Sequence, residues 1–284
     1  MSLIHMPVKG YLPDADMPDH IKAGLGPVTP FSVAHRTFVS MATSRAQAGT
    51  DYDIPNEPAV YDQLDIGACV LNAATGALNM ILAVEGKPTE MLARLFLYFL
   101  CRSAMGTLDQ DSGTYTHLAV ERIGRIGICE ERFWPYGDST FLDANGHAVR
   151  PAPECWPEAS DNRAKNWFNI QDPSNASQPS RLDQMEASIR ADHPIIFGSS
   201  VDSAIQNYQA GQVLGIPNVN ALIGGHSMVF TGIRYIDGQR CWRVRNSWGS
   251  AYGDNGHLLI NDAWASWAAL NDLWVITRSN QLLF

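Results

Sequence analysis

The sequence predicts an α+β fold of two lobes, helices first and an antiparallel sheet second. Two observations carry this expectation. Apolar residues recur at three- and four-residue steps between Cys69 and Gly127, whereas short β-branched or aromatic runs split by turn residues fill the chain from Pro194 onward. A polar, Pro-rich stretch from Gly137 to Ser180, with "NWFNI" as its one apolar island, separates the two patterns and reads as a long excursion or inter-lobe connection.

Taken in order, residues 1–58 carry "GYLPDADMPDH", "GLGPVTPF" and "DYDIPNEP" without a sustained period, and predict an extended, turn-rich N-terminal extension. Helical patterning starts at Cys69. Val70, Leu71, Ala74, Leu78, Ile81 and Leu82 fall mostly at helical steps until "EGKP" stops the run at Gly86 and Pro88. A second helix is expected after Thr89 and up to Gly106, and a third over "YTHLAVERIGRIG", ending at Gly127. Ser180 should cap "SRLDQMEASIRADH", with Asp183 returning a hydrogen bond as a capping-box acid does. "PIIFGSSV", "HSMVFTGIRYI", "QRCWRVRN", "GHLLI" and "DLWVITR" are the expected strands, and Asp237-Gly238 signals a two-residue hairpin.

Composition narrows the function. The formal net charge is −9 with no long run of Lys and Arg, which disfavours nucleic acid or an anionic membrane as the main partner. "MLARLFLYFLC" is too short to span a bilayer and carries Arg94, so it predicts a buried helix. The N-terminus lacks the basic start, apolar stretch and cleavage site of a secretory signal. Five cysteines (Cys69, Cys101, Cys129, Cys155 and Cys241) form no CxxC pair and have no zinc-finger spacing to a His. A disulfide framework, a metal site and a cofactor are therefore not expected, and a cytoplasmic or otherwise reducing compartment fits.

A nucleophilic cysteine acts as thiolate and is expected at a helix N-terminus, beside a His, with donors ready for an oxyanion. Cys69 meets the first condition in "YDQLDIGACVLNA", where Gln63 can offer a side-chain amide as second donor. His226 follows two glycines at the head of a strand in "LIGGHSMVF". In "NSWGSAYGDNGHLLI", Asn246 can hold the imidazole and Trp248 can shield that contact from water.

These segments resemble the papain-like cysteine peptidases, in particular bacterial members with an N-terminal extension. "YDQLDIGACVLNA" is similar to the family's Gln-to-Cys segment, "GGHSMVFTGI" to its histidine strand and "NSWGSAYGDNGHLLI" to its Asn-Ser-Trp-Gly motif. The resemblance implies a helical left lobe (about 59–160) and a β-barrel-like antiparallel right lobe (about 161–284), with the active site in the cleft between them. It also implies catalytic roles for Cys69, His226, Asn246 and Gln63, a covalent thioester intermediate and a peptide or protein substrate. His226 and Asn246 lie further from Cys69 than the roughly 130–150 residues usual for such enzymes, an excess that the polar excursion can supply.

Gly225 and Trp248 are further cleft candidates. Ser112 and Gly113 sit where the family lines its cleft, and equally read as an ordinary helix-start turn. Three positions depart from the family pattern: Leu64 replaces a usual Gly, Ile66 a disulfide Cys and Val70 a Trp. These leave two rivals to a peptidase, a non-catalytic binding or structural descendant and an acyltransferase using the same nucleophile. The extension likewise has two readings, a surface strap or a plug lying in the chain's own cleft.

Overall fold

The computed structural model describes residues 8–42, 49–87, 90–267 and 270–278; Pro88, Thr89 and both chain ends lie outside them, and the helix expected directly after Thr89 starts at Arg94. The N-terminal part forms β1 (Tyr11–Leu12), α1 (Asp19–Lys22), α2 (His35–Met41) and β2 (Tyr52–Asp53). Then come α3 (Cys69–Val84), α4 (Arg94–Met105), β3 (Thr114–Tyr115) and α5 (Thr116–Arg125). The polar excursion holds α6 (Asp138–Phe141), α7 (Cys155–Ala159) and β4 (Asn166–Asn169). The remainder is α8 (Arg181–Arg190), β5 (Ile195–Asp202), β6 (Val213–Leu214), β7 (Leu222–Ile236), β8 (Gln239–Arg245), β9 (His257–Asn261), α9 (Asp262–Ala265) and β10 (Leu270–Thr277). This is the α+β arrangement of a helical and a sheet-rich lobe that the sequence predicts.

Helix α3 carries no charged residue, and each residue from Cys69 to Ala83 is buried, the polar Asn72, Thr75 and Asn79 included; a helix buried all round belongs at the centre of a fold. It packs against α4 and α5 on one side and β7 on the other. That position puts its N-terminus, and so Cys69, at the boundary between the lobes. Gly106, at φ 72°, closes α4 in the left-handed conformation that glycine adopts without penalty. The Ser180–Asp183 capping box forms at the start of α8.

The sheet runs β4-β10-β5-β7-β8-β9-β6, with β2 added along β7. All its ladders are antiparallel except β6 with β9. The β7–β8 hairpin turns at Asp237-Gly238, both with positive φ as a type I′ turn requires. Within "NWFNI", an isolated apolar piece in sequence, Asn166–Asn169 form the strand β4, which pairs antiparallel with β10 and bridges Pro30 through Asn169.

The N-terminal part is not one layer. Phe31, Ala34, Phe38 and Ile54 join the sheet-lobe core with Phe168, Met185 and Ile195, and Tyr52–Asp53 pairs with Ile233 and Gly232 of β7. Glu57 anchors the end of this stretch through Arg243, Arg245 and His257. Burial opposes its charge, but the hydrogen bond and charge of His257 and the charges of Arg243 and Arg245 together hold its carboxyl down at about 2. A depressed carboxyl adds stability above its unfolded pKa and loses it as pH falls through the folded value. Glu57→Gln should therefore destabilise the chain at pH 7 by about 3–5 kcal/mol, as breaking a buried ion pair does, and by much less near pH 2. Urea denaturation at both pH values checks this.

Candidate active site

Cys69 is the first residue of α3, and the residue before it, Ala68, makes no side-chain cap. The helix therefore begins with unpaired backbone N–H groups and a positive dipole end beside the sulfur. Full burial pushes the thiol up to about 12; the backbone N–H groups of Ser227, Val70 and Cys69 itself pull the other way but do not outweigh desolvation.

His226 lies on β7, wholly buried. Its Nε2 is 2.8 Å from Asn246 Oδ1. That oxygen can only accept, so Nε2 carries the hydrogen and Nδ1 bears the lone pair. Nδ1 is buried and has no hydrogen-bond partner. Trp248 stacks on the imidazole at 4.9 Å between ring centroids, and Tyr252 meets Trp248 edge-on at 5.0 Å. Asn246 is fixed by its own N–H to Gly256 O at 3.0 Å. Burial lowers the His226 pKa to about 4, against the smaller opposing effect of Asn246. Thiol and imidazole are thus both neutral in this enclosed state.

Gln63 is buried in the loop before α3. Its N–H donates to Ser247 O at 2.8 Å, its Oε1 accepts from Ser247 Oγ at 2.6 Å, and its Nε2 donates to Ile66 O at 3.1 Å. One of the two amide hydrogens is left for a ligand. Ser247, the second residue of the "NSWG" segment, therefore couples the Gln63 loop to the Asn246 strand end. The sequence assigns it no role.

Residues 51–273 match the family model described as papain family cysteine protease. The chain belongs to the papain family of cysteine proteases. An uncharacterised peptidase C1-like protein of Acanthamoeba polyphaga mimivirus is 26% identical over 229 residues, 78% of this chain and 71% of that one. Aminopeptidase C of Listeria monocytogenes matches locally, at 45% over 40 residues, 14% of this chain and 9% of that one. Among solved structures, xylellain, a cysteine protease from Xylella fastidiosa, superposes with a TM-score of 0.72 at 25% identity, covering 96% of each chain. Procathepsin B S9 of Trypanosoma congolense gives 0.66 at 16% identity, covering 96% of this chain and 87% of that one, and speaks to the fold alone.

The departures from the papain-family pattern acquire structural meaning. Leu64 sits at φ 50°, where the family's usual glycine would be unstrained. Ile66 and Val70 are buried core residues, and all five cysteines are free.

Residues Val8 to Asp14 run through the cleft. The Gly10 carbonyl accepts from Thr114 N at 2.9 Å, and β1 pairs in parallel with β3. Gly10 lies so close to Gly67 that a β-carbon there would overlap its carbonyl. The Tyr11 ring fills a slot between Gly198 and Gly225, where any β-carbon would strike it. Its hydroxyl donates to Asp272 Oδ2 at 2.7 Å. Val8 rests on Gly224, directly before the Gly225-His226 step, and Lys9 reaches Asp111 at 2.9 Å. The stretch from Val8 to Asp14 thus packs between residues of the two lobes, and Phe31, Phe38 and Ile54 pack in the sheet-lobe core.

The cleft candidates separate accordingly. Gly113 and Gly225 border the segment, and a β-carbon at either would collide with it. Ser112 is turned to its own loop, with its hydroxyl 2.9 Å from Thr107 Oγ1. Trp248 covers the His226–Asn246 pair and is 2% exposed, so its place is behind the imidazole. Asp111, one residue earlier than the candidates, accepts from Gly67 N at 2.9 Å and from Tyr98 Oη at 2.9 Å, fixing the turn before Cys69. Arg94 braces the same turn through Asp62 O at 2.9 Å and Asn72 Oδ1 at 3.0 Å. Neither residue carries a local sequence signal for this task. Among the described residues, no group of three or more His, Cys, Asp or Glu converges as metal ligands would.

Proposed function

We propose that the protein is a cysteine endopeptidase acting through Cys69, His226, Asn246 and Gln63, and that its own N-terminal segment closes the cleft. The observation that carries this reading is the fixed His226 tautomer: Asn246 holds Nε2–H and leaves the Nδ1 lone pair without a partner. With the segment displaced and the site hydrated, Nδ1 takes the Cys69 proton, and the thiolate is stabilised by the α3 N-terminus. Sulfur then attacks a peptide carbonyl. The tetrahedral oxyanion is held by the Cys69 N–H and the free Gln63 amide hydrogen.

His226 returns the proton to the leaving amine, forming the thioester. Water, deprotonated by the same nitrogen, then releases the acid and regenerates the thiol. An extended stretch from Val8 to Pro13 packed against Gly67, Gly113, Gly198 and Gly225 supports cleavage within a peptide over trimming at its end. Gln63→Ala should lower kcat by roughly 10²–10³ with a small change in KM, the signature of a lost oxyanion donor.

The deciding test is labelling of Cys69 by iodoacetamide from pH 5 to 9 in a full-length chain whose cleft has been opened by Gly10→Ala, together with cleavage of an unstructured protein. Labelling that persists well below pH 7 and depends on His226 supports the reading. An ordinary thiol titration without cleavage overturns it in favour of a binding role.

A further inference from the structure

A cluster of exposed apolar side chains adjoins the cleft on the sheet lobe. Ile216, Val219, Leu222 and Ile223 lie within eight consecutive residues and are 47%, 59%, 42% and 42% exposed. Single exposed apolar side chains are ordinary on a protein surface, whereas clustered ones mark contact surfaces.

The cluster is held in place by its backbone. Asp202 accepts from Ala204 N at 2.9 Å and from Asn218 N at 2.7 Å, and a turn closes from Ala221 N to Asn218 O at 2.9 Å. On the sheet, Asp202 pairs with Leu222 and Val201 with Gly224. Two steps along β7 thus face one step along β5, and Ile223 is the extra residue of a β-bulge. A regular strand points neighbouring side chains to opposite faces; at this bulge Leu222 and Ile223 stay exposed to the same extent.

Its position makes it continuous with the cleft. Val8 rests on Gly224, the residue after Ile223 and two before His226. β8 joins β7 only from Val229 onward, so the strand end from Leu222 to Met228 has β5 as its one ladder partner among the described residues. Leu222 lies two residues beyond Gly224, roughly 6–7 Å at the rise of a strand. Two residues of an extended peptide cover that distance.

We propose that Leu222 and Ile223, together with Val219 and Ile216 of the preceding loop, form an additional docking surface for the peptide or protein substrate. It selects an apolar residue about five positions from the one that occupies the Tyr11 slot: three from Tyr11 to Val8, and two more along β7. This rests on the cleft being a peptide cleft, as read above. The open edge of β7 offers backbone groups to an extended chain, and the apolar side chains supply the preference.

The test measures binding alone, in the full-length chain carrying Cys69→Ala to prevent turnover and Gly10→Ala to open the cleft. Fluorescently labelled peptides of Ser, Gln and Ala carry one Tyr as anchor, and a Leu five positions before it, five positions after it, or nowhere. One of the two Leu peptides should bind roughly tenfold tighter than the Leu-free peptide, as burial of most of a leucine side chain provides. Leu222→Thr with Ile223→Thr keeps β-compatible residues in the strand. It should remove that gain and leave the affinity for the Leu-free peptide unchanged. Equal affinity for all three peptides, immeasurably weak binding included, or a gain that survives both substitutions, overturns the docking surface. Sedimentation in which the chain self-associates and the threonine variant does not would give this face to a second copy, and overturns it too. An ordinary thiol titration of Cys69 in the separate labelling experiment strikes only the peptidase reading.

Discussion

Gly10→Ala in the full-length chain is expected to raise the rate of Cys69 alkylation at pH 7 by about 100-fold. Gly10 has φ 109°, outside the conformations open to alanine, and a β-carbon would overlap the Gly67 carbonyl two residues before Cys69, the first residue of α3. The backbone strain costs about 1–2 kcal/mol and the overlap about 1–3 kcal/mol. Together these correspond to about 1.5 to 3.5 powers of ten in the docking equilibrium, and the 100-fold expectation lies within that range. The same opening hydrates the thiol and imidazole, which burial holds at about 12 and about 4, and so permits the charged pair at neutral pH. Global stability should change little, because the remainder of the extension stays anchored by Phe31, Phe38 and Ile54 in the sheet-lobe core. An alkylation rate that matches the unsubstituted chain would show that residues 8–14 do not control access.

His226→Ala in the Gly10→Ala background should lower kcat/KM on a peptide substrate by roughly 10⁴–10⁶, the range seen when the base of a nucleophilic unit is removed. The labelling profile should change in parallel, from one that persists below pH 7 to one rising as an unassisted thiol. Because His226 is wholly buried and stacked on Trp248, its loss leaves a cavity. His226→Gln fills more of that space, and it should be equally inactive if the lost group is the proton acceptor. Recovery of most activity in the glutamine variant would assign His226 a packing role only.

The local setting of each candidate site residue was legible in sequence. Gln63, Cys69, His226 and Asn246 could be placed because each lies in a short run whose residue types serve one local task. Gln63 lies in a turn before the helix, Cys69 at its first residue, His226 on a strand after glycines, and Asn246 in "NSWG". Ser247, Asp111 and Arg94 were not legible, because their partners are distant along the chain: Ser247 Oγ meets Gln63 184 residues away. Gly113 and Ser112 looked alike in "DSG", and only packing separates a glycine against the segment from a serine bonded to its own loop.

By itself the sequence determined the order of helices and strands, the Ser180 cap, the Asp237-Gly238 hairpin and the residue types able to form the site. Those properties arise from backbone propensity and from the burial period of neighbouring residues, which are local. Tertiary structure alone decided that residues 166–169 of "NWFNI" form a strand, that Leu64 takes a glycine conformation, that burial raises the thiol and lowers the imidazole, and which parts of the extension pack between the lobes and which on the sheet lobe. These depend on surfaces meeting across the chain, as Tyr11 meets Asp272 over 261 residues, and on the burial that such meetings create; no short run of residues encodes either.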